Sequence, residues 1–289
     1  MVTSAARRDV VNYLRKSHKI SERQACKIVR LCRSSYRYQA KPTNDEHIRS
    51  RLRQLAEQRR KFGAQRLHVL LRREGHLINH KRTERLYREE GLSLRLKRRK
   101  KRSSHLRVVL PSPERINQHW SMDFVSDSLY NSRRFRTLTI VDNLSKECPI
   151  LEVDHSLTGQ RVVRVLERIS LTRELPEVIT VDNGPEFISK ALDAWAHENN
   201  VKLNFIQPGK PTQNAFIESF NGKFRDECLN EHVFMNLEDA QRKIEAWRQD
   251  YNTVRPHRSI NQLTPEEFVK KFNQKQTEIT NLKLVQSEG

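Results

Sequence analysis

Cysteine is scarce: Cys26, Cys32, Cys148 and Cys228 are the only four in 289 residues. They have neither the paired spacing of a zinc site nor the density of a secreted disulfide scaffold, so a reduced, cytosolic setting is expected. No apolar stretch approaches the length of a membrane span, and the opening MVTSAARRDV lacks the apolar core of a signal peptide, so no membrane partner is expected. A leucine heptad run is missing as well, which leaves no coiled coil to drive assembly. The rear half has no P-loop and no Cys/His set suited to zinc or to a thiol nucleophile.

Acidic residues are few where basic ones are many. The net charge is +20, but residues 1–118 hold 33 Lys and Arg against 10 Asp and Glu, whereas residues 119–289 hold 22 against 25. A surplus of cations neutralises phosphates and releases their counterions, which points to a polyanion. Its confinement to the front suggests that one part grips nucleic acid while the other does something else. The length fits two or three domains, with a boundary near Pro111 and Pro113.

The basic half reads as helices. VVNYLR from Val10 forms one, and Ser21 with Gln24 makes a capping box for a second that turns Ala25, Ile28 and Val29 inward. A turn at Leu31 to Arg33 leads into SSYRYQ, so Arg33 and Arg37 sit on the second arm of a helix-turn-helix or of a plain helical hairpin with a solvated basic face. Ile48, Leu52 and Leu55, then Leu67, Leu70 and Leu71, then Leu86 and Tyr87 mark a further three-helix unit. Its last helix displays Lys81, Arg82, Arg85 and Arg88 towards a DNA groove. The run RLKRRKKR at 95–102, with Lys97, Arg98, Arg99, Lys100, Lys101 and Arg102, reads as a linker that binds phosphates or as a solubilising tether.

After His119 the texture changes to β-branched and aromatic strands: HWSMDFVSD, RFRTLTIVDNL and CPILEVDHS as an antiparallel meander. A helix from Thr158 to about Glu174, the strand EVITVD, a helix from Glu186 to about Glu198 and the strand VKLNFI follow, and this alternation implies parallel pairing. An α/β domain with a mixed five-stranded sheet is expected. Alternation places Asp123 with Ser121 and Val125 on one face of the first strand, where an ionised acid is costly unless paired or holding a metal. Asp182 ends the strand VITVD, where open α/β sheets present their crevice, although Asp-Asn-Gly is also a common turn. Glu218 lies on a helix whose Phe216, Phe220, Phe224 and Cys228 form an apolar stripe, with Asn214, Glu218, Asn221 and Arg225 opposite. Three acids from a strand, a strand end and a helix suit hard cations, magnesium or manganese. Further on, Leu237 to Tyr251 forms a helix with Ala240, Ile244 and Trp247 on its core face, and Thr264, Pro265 and Glu267 start another. RPHRS between them is a DNA contact or a structural turn.

WSMDF, VDNGPEF and QPGKPTQNAFIESFNGKFRDECLN, with 35 residues between Asp182 and Glu218 and Arg225 seven after the Glu, resemble the Asp-Asp-Glu transposases of bacterial insertion sequences, on the retroviral-integrase branch. YNTVRPHRSINQLTP matches the second-reading-frame product of two-frame elements. The resemblance covers nearly the whole chain, more loosely at the front. It implies an α/β, ribonuclease H-like catalytic core preceded by an all-α helix-turn-helix DNA-binding region. Expected segments are a helix-turn-helix-like stretch over 1–42, a three-helix DNA-binding domain over 43–94, a basic linker over 95–113, the core over 114–233 and a helical extension over 234–289.

The same resemblance makes Asp123, Asp182 and Glu218 catalytic ligands of two Mg2+ or Mn2+ ions, and Arg225 and Lys223 DNA contacts. Asn183, Gly184 and Asp142 are expected nearby, Asp142 ranking below the triad because its loop could leave it in solvent. The front half lacks the His-His-Cys-Cys spacing of retroviral integrases, so no structural zinc is expected. The implied reaction is metal-dependent cleavage at element ends followed by attack of the 3′-hydroxyl on target DNA. Implied partners are double-stranded DNA, further copies in a synaptic complex and an upstream-frame protein, in the bacterial cytoplasm at the nucleoid. A stand-alone metal-dependent nuclease and a non-catalytic DNA-binding regulator are the alternatives.

Overall fold

A computed structural model describes residues 3–39, 45–94, 113–207 and 211–287. Two compact units emerge, residues 1–50 and 51–289. The first contains α1 (Ser4–His18), α2 (Glu22–Ile28) and α3 (Arg33–Arg37). Thr3 and Ser21 cap the first two, their hydroxyls accepting from the N–H of Ala6 and Gln24. Val11, Ala25, Cys26 and Leu31 form the small core. Ile28, expected inward, is instead 64% exposed. In so short a helix Cys26 already fills the space beside Ala25, and Ile28 rotates to the other side. Arg33 and Arg37 both reach Glu22, at 3.3 and 2.8 Å.

The second unit takes in most of α4 (Glu46–Gln58), then α5 (Ala64–Arg73) and α6 (His80–Glu89). Leu52, Leu55, Leu67, Leu70, Leu71, Leu86 and Tyr87 are buried, as the helical spacing predicts. Its sheet is built from β1 (His119–Ser128), β2 (Arg134–Asp142), β3 (Leu151–Asp154), β4 (Val178–Val181) and β5 (Lys202–Phe205), in the order β3-β2-β1-β4-β5. β1–β2 and β2–β3 are antiparallel, and β1–β4 and β4–β5 are parallel. This is the mixed five-stranded sheet expected from the meander followed by βα alternation.

Helices cover both faces. Trp120, Met122, Leu138 and Ile140 pack with α7 (Gly159–Ser170) and α8 (Lys190–Glu198). Val125, Phe135, Val141, Leu151 and Val153 pack with α9 (Ala215–Glu227) and α10 (Leu237–Thr253). Strand alternation therefore puts Asp123 on the α9 face. α11 (Pro265–Ser287) begins with a reciprocal cap: Thr264 N–H donates to Glu267 Oε2 at 2.7 Å, and Glu267 N–H donates to Thr264 Oγ1 at 3.1 Å. Among the described residues no helix is long and apolar enough to cross a membrane.

α8 begins four residues later than Glu186, where the periodicity predicts it. Phe187 and Ile188 N–H groups bond back to the Gly184 carbonyl, Phe187 stacks on Phe124 with ring centroids 4.8 Å apart, and Ser189 becomes the cap. Residues 182–189 thus form a pinned loop. Gly159, opening α7, lies so close that a Cβ there would stand 2.2 Å from Ser189 Oγ.

Candidate active site

β1 and β4 run parallel with Ser121 beside Thr180. Two residues further along each strand come Asp123 and Asp182, so the register sets the two acids side by side where β4 ends. α9 crosses the same face. Its Asn221 donates from Nδ2 to Asp123 Oδ2 at 2.8 Å, one turn beyond Glu218. The other carboxylate oxygen, Oδ1, takes the Phe124 N–H at 2.7 Å. Asp182 is held by the Gly184 N–H at 3.0 Å. Asn183 Nδ2 donates to the Ile206 carbonyl at 2.8 Å and ties the loop to the end of β5.

These acids feel one another. Burial above all, with the charges of Asp182 and Glu218 adding and the Phe124 N–H and Asn221 opposing, pushes the Asp123 carboxyl up to about 6. Asp182 is half-buried and Glu218 exposed. Among the described residues no group of three or more His, Cys, Asp and Glu stands ready-made to hold a metal ion. The acids share an electrostatic neighbourhood but are not closed into a ligand cage. The donor set is nonetheless all oxygen, and the buried Oδ1 atoms of Asn221 on α9 and of Asn214 just before it find no hydrogen-bond donor among the described residues. A partly dehydrated cluster of oxygen acceptors with unanswered lone pairs is the chemistry of a hard divalent cation site.

Asp142 does not join the cluster. It is fully buried rather than in solvent, and its carboxylate is spent on the N–H groups of Asn117, Leu144 and Ser145 and on the Ser145 hydroxyl. The register puts it opposite Trp120, three residues from Asp123. On α9, Ile217 takes the core position expected of Phe216, which is half-buried under Lys146. Arg225 is exposed, and Lys223 is half-buried.

RPHRS proves mainly structural. Arg255, 1% exposed, forks onto Glu227 with Nε–Oε2 and Nη2–Oε1 distances of 2.6 Å, and His257 is buried against the Tyr251 carbonyl. Nothing in the local pattern announces this, because Glu227 lies 28 residues away. Arg136 pairs with Glu186 and covers Phe124 at 4.3 Å, another brace for the 182–189 loop that strand alternation alone would not reveal.

On α6, Lys81, Arg85 and Arg88 are exposed and Arg82 is half-buried, with Arg85 near Glu89 at 2.8 Å and Arg88 near Glu84 at 3.7 Å. The helix is carried on a unit docked by charge: Arg59 forks onto Asp250 of α10 at 2.5 and 2.7 Å, Arg66 reaches Glu227 of α9 at 3.3 Å, and Arg73 meets Glu267 of α11 at 2.7 Å. Lys97, Arg98, Arg99, Lys100, Lys101 and Arg102 lie outside the described residues.

Comparison with known proteins fits this geometry. Integrase core domain families match residues 113–211 and 199–265, and an HTH-like domain family matches residues 43–102. A 31.7 kDa protein of insertion element IS407 from Burkholderia multivorans is 51% identical over 259 residues, covering 89% of this chain and 94% of the relative. The putative transposase InsK of element IS150 from Escherichia coli K12 is 24% identical, covering 90% and 96%. The chain belongs to the bacterial insertion-sequence transposases of the integrase superfamily. It is a transposase of the polynucleotidyl transferase type, and it acts on DNA. The catalytic core of HTLV-2 integrase, solved in complex with magnesium, aligns with this transposase at a TM-score of 0.40 and 19% identity, over 53% of this chain and 95% of that one.

Proposed function

We propose that Asp123, Asp182 and Glu218 are the catalytic acids of the transposase and hold two divalent ions, Mg2+ or Mn2+. The observation that carries this reading is the half-buried Asp123, within reach of the charges of Asp182 and Glu218 and tied to the Glu218 helix through Asn221. When bound, such ions polarise the attacking and leaving oxygens of an in-line displacement at phosphorus. The protein's part is to hold Asp123 partly dehydrated and the acids aligned. β1 and β4 fix two carboxylates by register, Gly184 and Asn221 orient them, and the loop pinned by Phe187 and Glu186 keeps Asp182 at its strand end.

One site then serves two reactions. Water attacks a phosphodiester at the element end, breaking its P–O3′ bond and leaving a 3′-hydroxyl; that hydroxyl attacks a second phosphodiester, joins to its phosphorus and expels the 3′-hydroxyl of the attacked strand. α6, through Lys81, Arg82, Arg85 and Arg88, and α9, through Lys223 and Arg225, contact the DNA, with the 95–102 run as a sequence-independent grip. Two ends require at least two copies in a synapse, and an upstream-frame protein is a further partner. The bacterial cytoplasm, at the nucleoid, is the working place.

The test is a strand-transfer assay with Mg2+ and candidate element ends. Asp123→Asn, Asp182→Asn and Glu218→Gln should each abolish nicking and joining while retaining DNA binding. Any of them joining ends at the wild-type rate would refute the assignment. A nuclease would cut without joining, and a regulator would do neither.

A further inference from the structure

Two lysines beside α9 lack the counter-charge that a half-buried cation requires. Among the described residues Lys223 makes no hydrogen bond or ion pair. Its charged neighbours are Arg255, Glu227, Arg66 and Lys146, and the one acid among them is already forked by Arg255 and approached by Arg66. Lys146, on the loop after β2, places its ammonium 4.1 Å from the centre of the Phe216 ring and donates to the Asn143 carbonyl. Its acidic neighbour, Asp142, is spent on four donors, three from its own loop and the Asn117 N–H. Arg66, Lys146, Lys223 and Arg255 therefore share Glu227 and an already committed Asp142.

That surplus is costly. Burial pulls both ammonium groups down to about 8, with Arg255 adding to the effect on Lys223 and Asp142 opposing it on Lys146. A partly dehydrated cation is tolerated when an anion arrives to answer it. We propose that Lys146 and Lys223 form a seat for a DNA backbone phosphate on the Phe216 flank of α9. The proposal rests on the reading of α9 as the DNA-facing catalytic helix. Lys223 follows Phe216 by seven residues and Glu218 by five, so it shares a flank of α9 with the ring that Lys146 covers and lies about 140° round the helix from Glu218. Lysines fit such a seat, because two point charges grip phosphate oxygens without reading sequence.

The experiment uses the full chain, a fluorescein-labelled 20-base-pair duplex of arbitrary sequence, EDTA, and anisotropy across a NaCl series. For the double variant Lys146→Gln/Lys223→Gln, the slope of log affinity against log salt should shallow by roughly 0.9, the contribution of the one phosphate the pair neutralises. The arginine pair Lys146→Arg/Lys223→Arg should keep the wild-type slope. Without DNA, the glutamine variant should melt at or above the wild-type temperature, because it removes repulsion among four cations. An unchanged slope, an arginine pair as impaired as the glutamine pair, or a lowered melting temperature in the glutamine variant would each overturn the seat. Glu218→Gln separates the two readings: it should keep the wild-type slope but lose nicking, and if it nicked normally the catalytic assignment would fail whatever the lysines did.

Discussion

Asp123 sits where its own charge is unwelcome, between the end of a neighbouring strand and a helix that each bring a further acid. The sign of the consequence is fixed. A carboxyl whose folded-state pKa is raised to about 6 from 3.8 contributes most favourably below the unfolded value, and that contribution is lost as pH rises to about 6. In metal-free buffer at neutral pH, Asp123→Asn should therefore raise stability by roughly 1–3 kcal/mol, the size of a two-unit shift reduced for the hydrogen bond that asparagine cannot fully replace. The gain should fade towards pH 4, as chemical denaturation at several pH values would reveal; a variant less stable than wild type at pH 7 would contradict it. Arg255 is the opposite case, a buried charge fully answered by its partner. Arg255→Ala removes the fork, leaves Glu227 with the looser 3.3 Å contact to Arg66 and should cost about 3 kcal/mol. Arg255→Lys should recover less than half of this in urea melts, because an ammonium cannot reproduce the fork.

Between elements Gly159 lies close against Ser189, which brings the start of α7 up to the loop following Asp182. A methyl group on residue 159 would collide with the Ser189 side chain and lie 3.0 Å from the Glu186 carbonyl. Gly159→Ala should cost roughly 1–3 kcal/mol by overpacking and lower nicking by displacing the loop. Adding Ser189→Gly clears the side chain, and the glycine forfeits only a few tenths of a kcal/mol as an N-cap. The double variant should regain most of both losses, and no recovery would show that the clash is not with Ser189. Periodicity alone exposes much of this architecture: alternation in β1 places Asp123 on the α9 face, and the 3.6-residue repeat sets α5, α6, α9 and α10. Features decided by distant partners stay hidden. The delayed start of α8 depends on Phe187 finding Phe124, the exchange of Phe216 for Ile217 on Lys146 lying over the ring, and the role of RPHRS on Glu227. The spacing from Asp182 to Glu218 is legible, whereas the readiness of the acids to bind an ion depends on side-chain placement that no spacing encodes.

For the whole molecule, charge is distributed so that gripping and cutting stay linked. Arg59, Arg66 and Arg73 tie α4 and α5 to acids on α10, α9 and α11, so α6 is carried on the same unit as Glu218. On the proposed reading, DNA held along α6 would be brought to α9 by that shared unit. Non-specific grip should come chiefly from the six cations Lys97, Arg98, Arg99, Lys100, Lys101 and Arg102, a density of charge that dwarfs the near-neutral rear half. If every one meets a phosphate, changing all six to Gln removes about 5 from the steepness of log affinity against log salt, at about 0.9 per contact. Affinity should then fall by a similar factor for element-end and unrelated duplexes, because phosphate contacts position without specifying. The ratio between the two should survive, since it belongs to α6, and equilibrium titrations at two salt concentrations would measure both quantities. Loss of that ratio with the steepness intact would move sequence reading from α6 to the run itself, and the division between a reading helix and an indifferent grip would have to be abandoned.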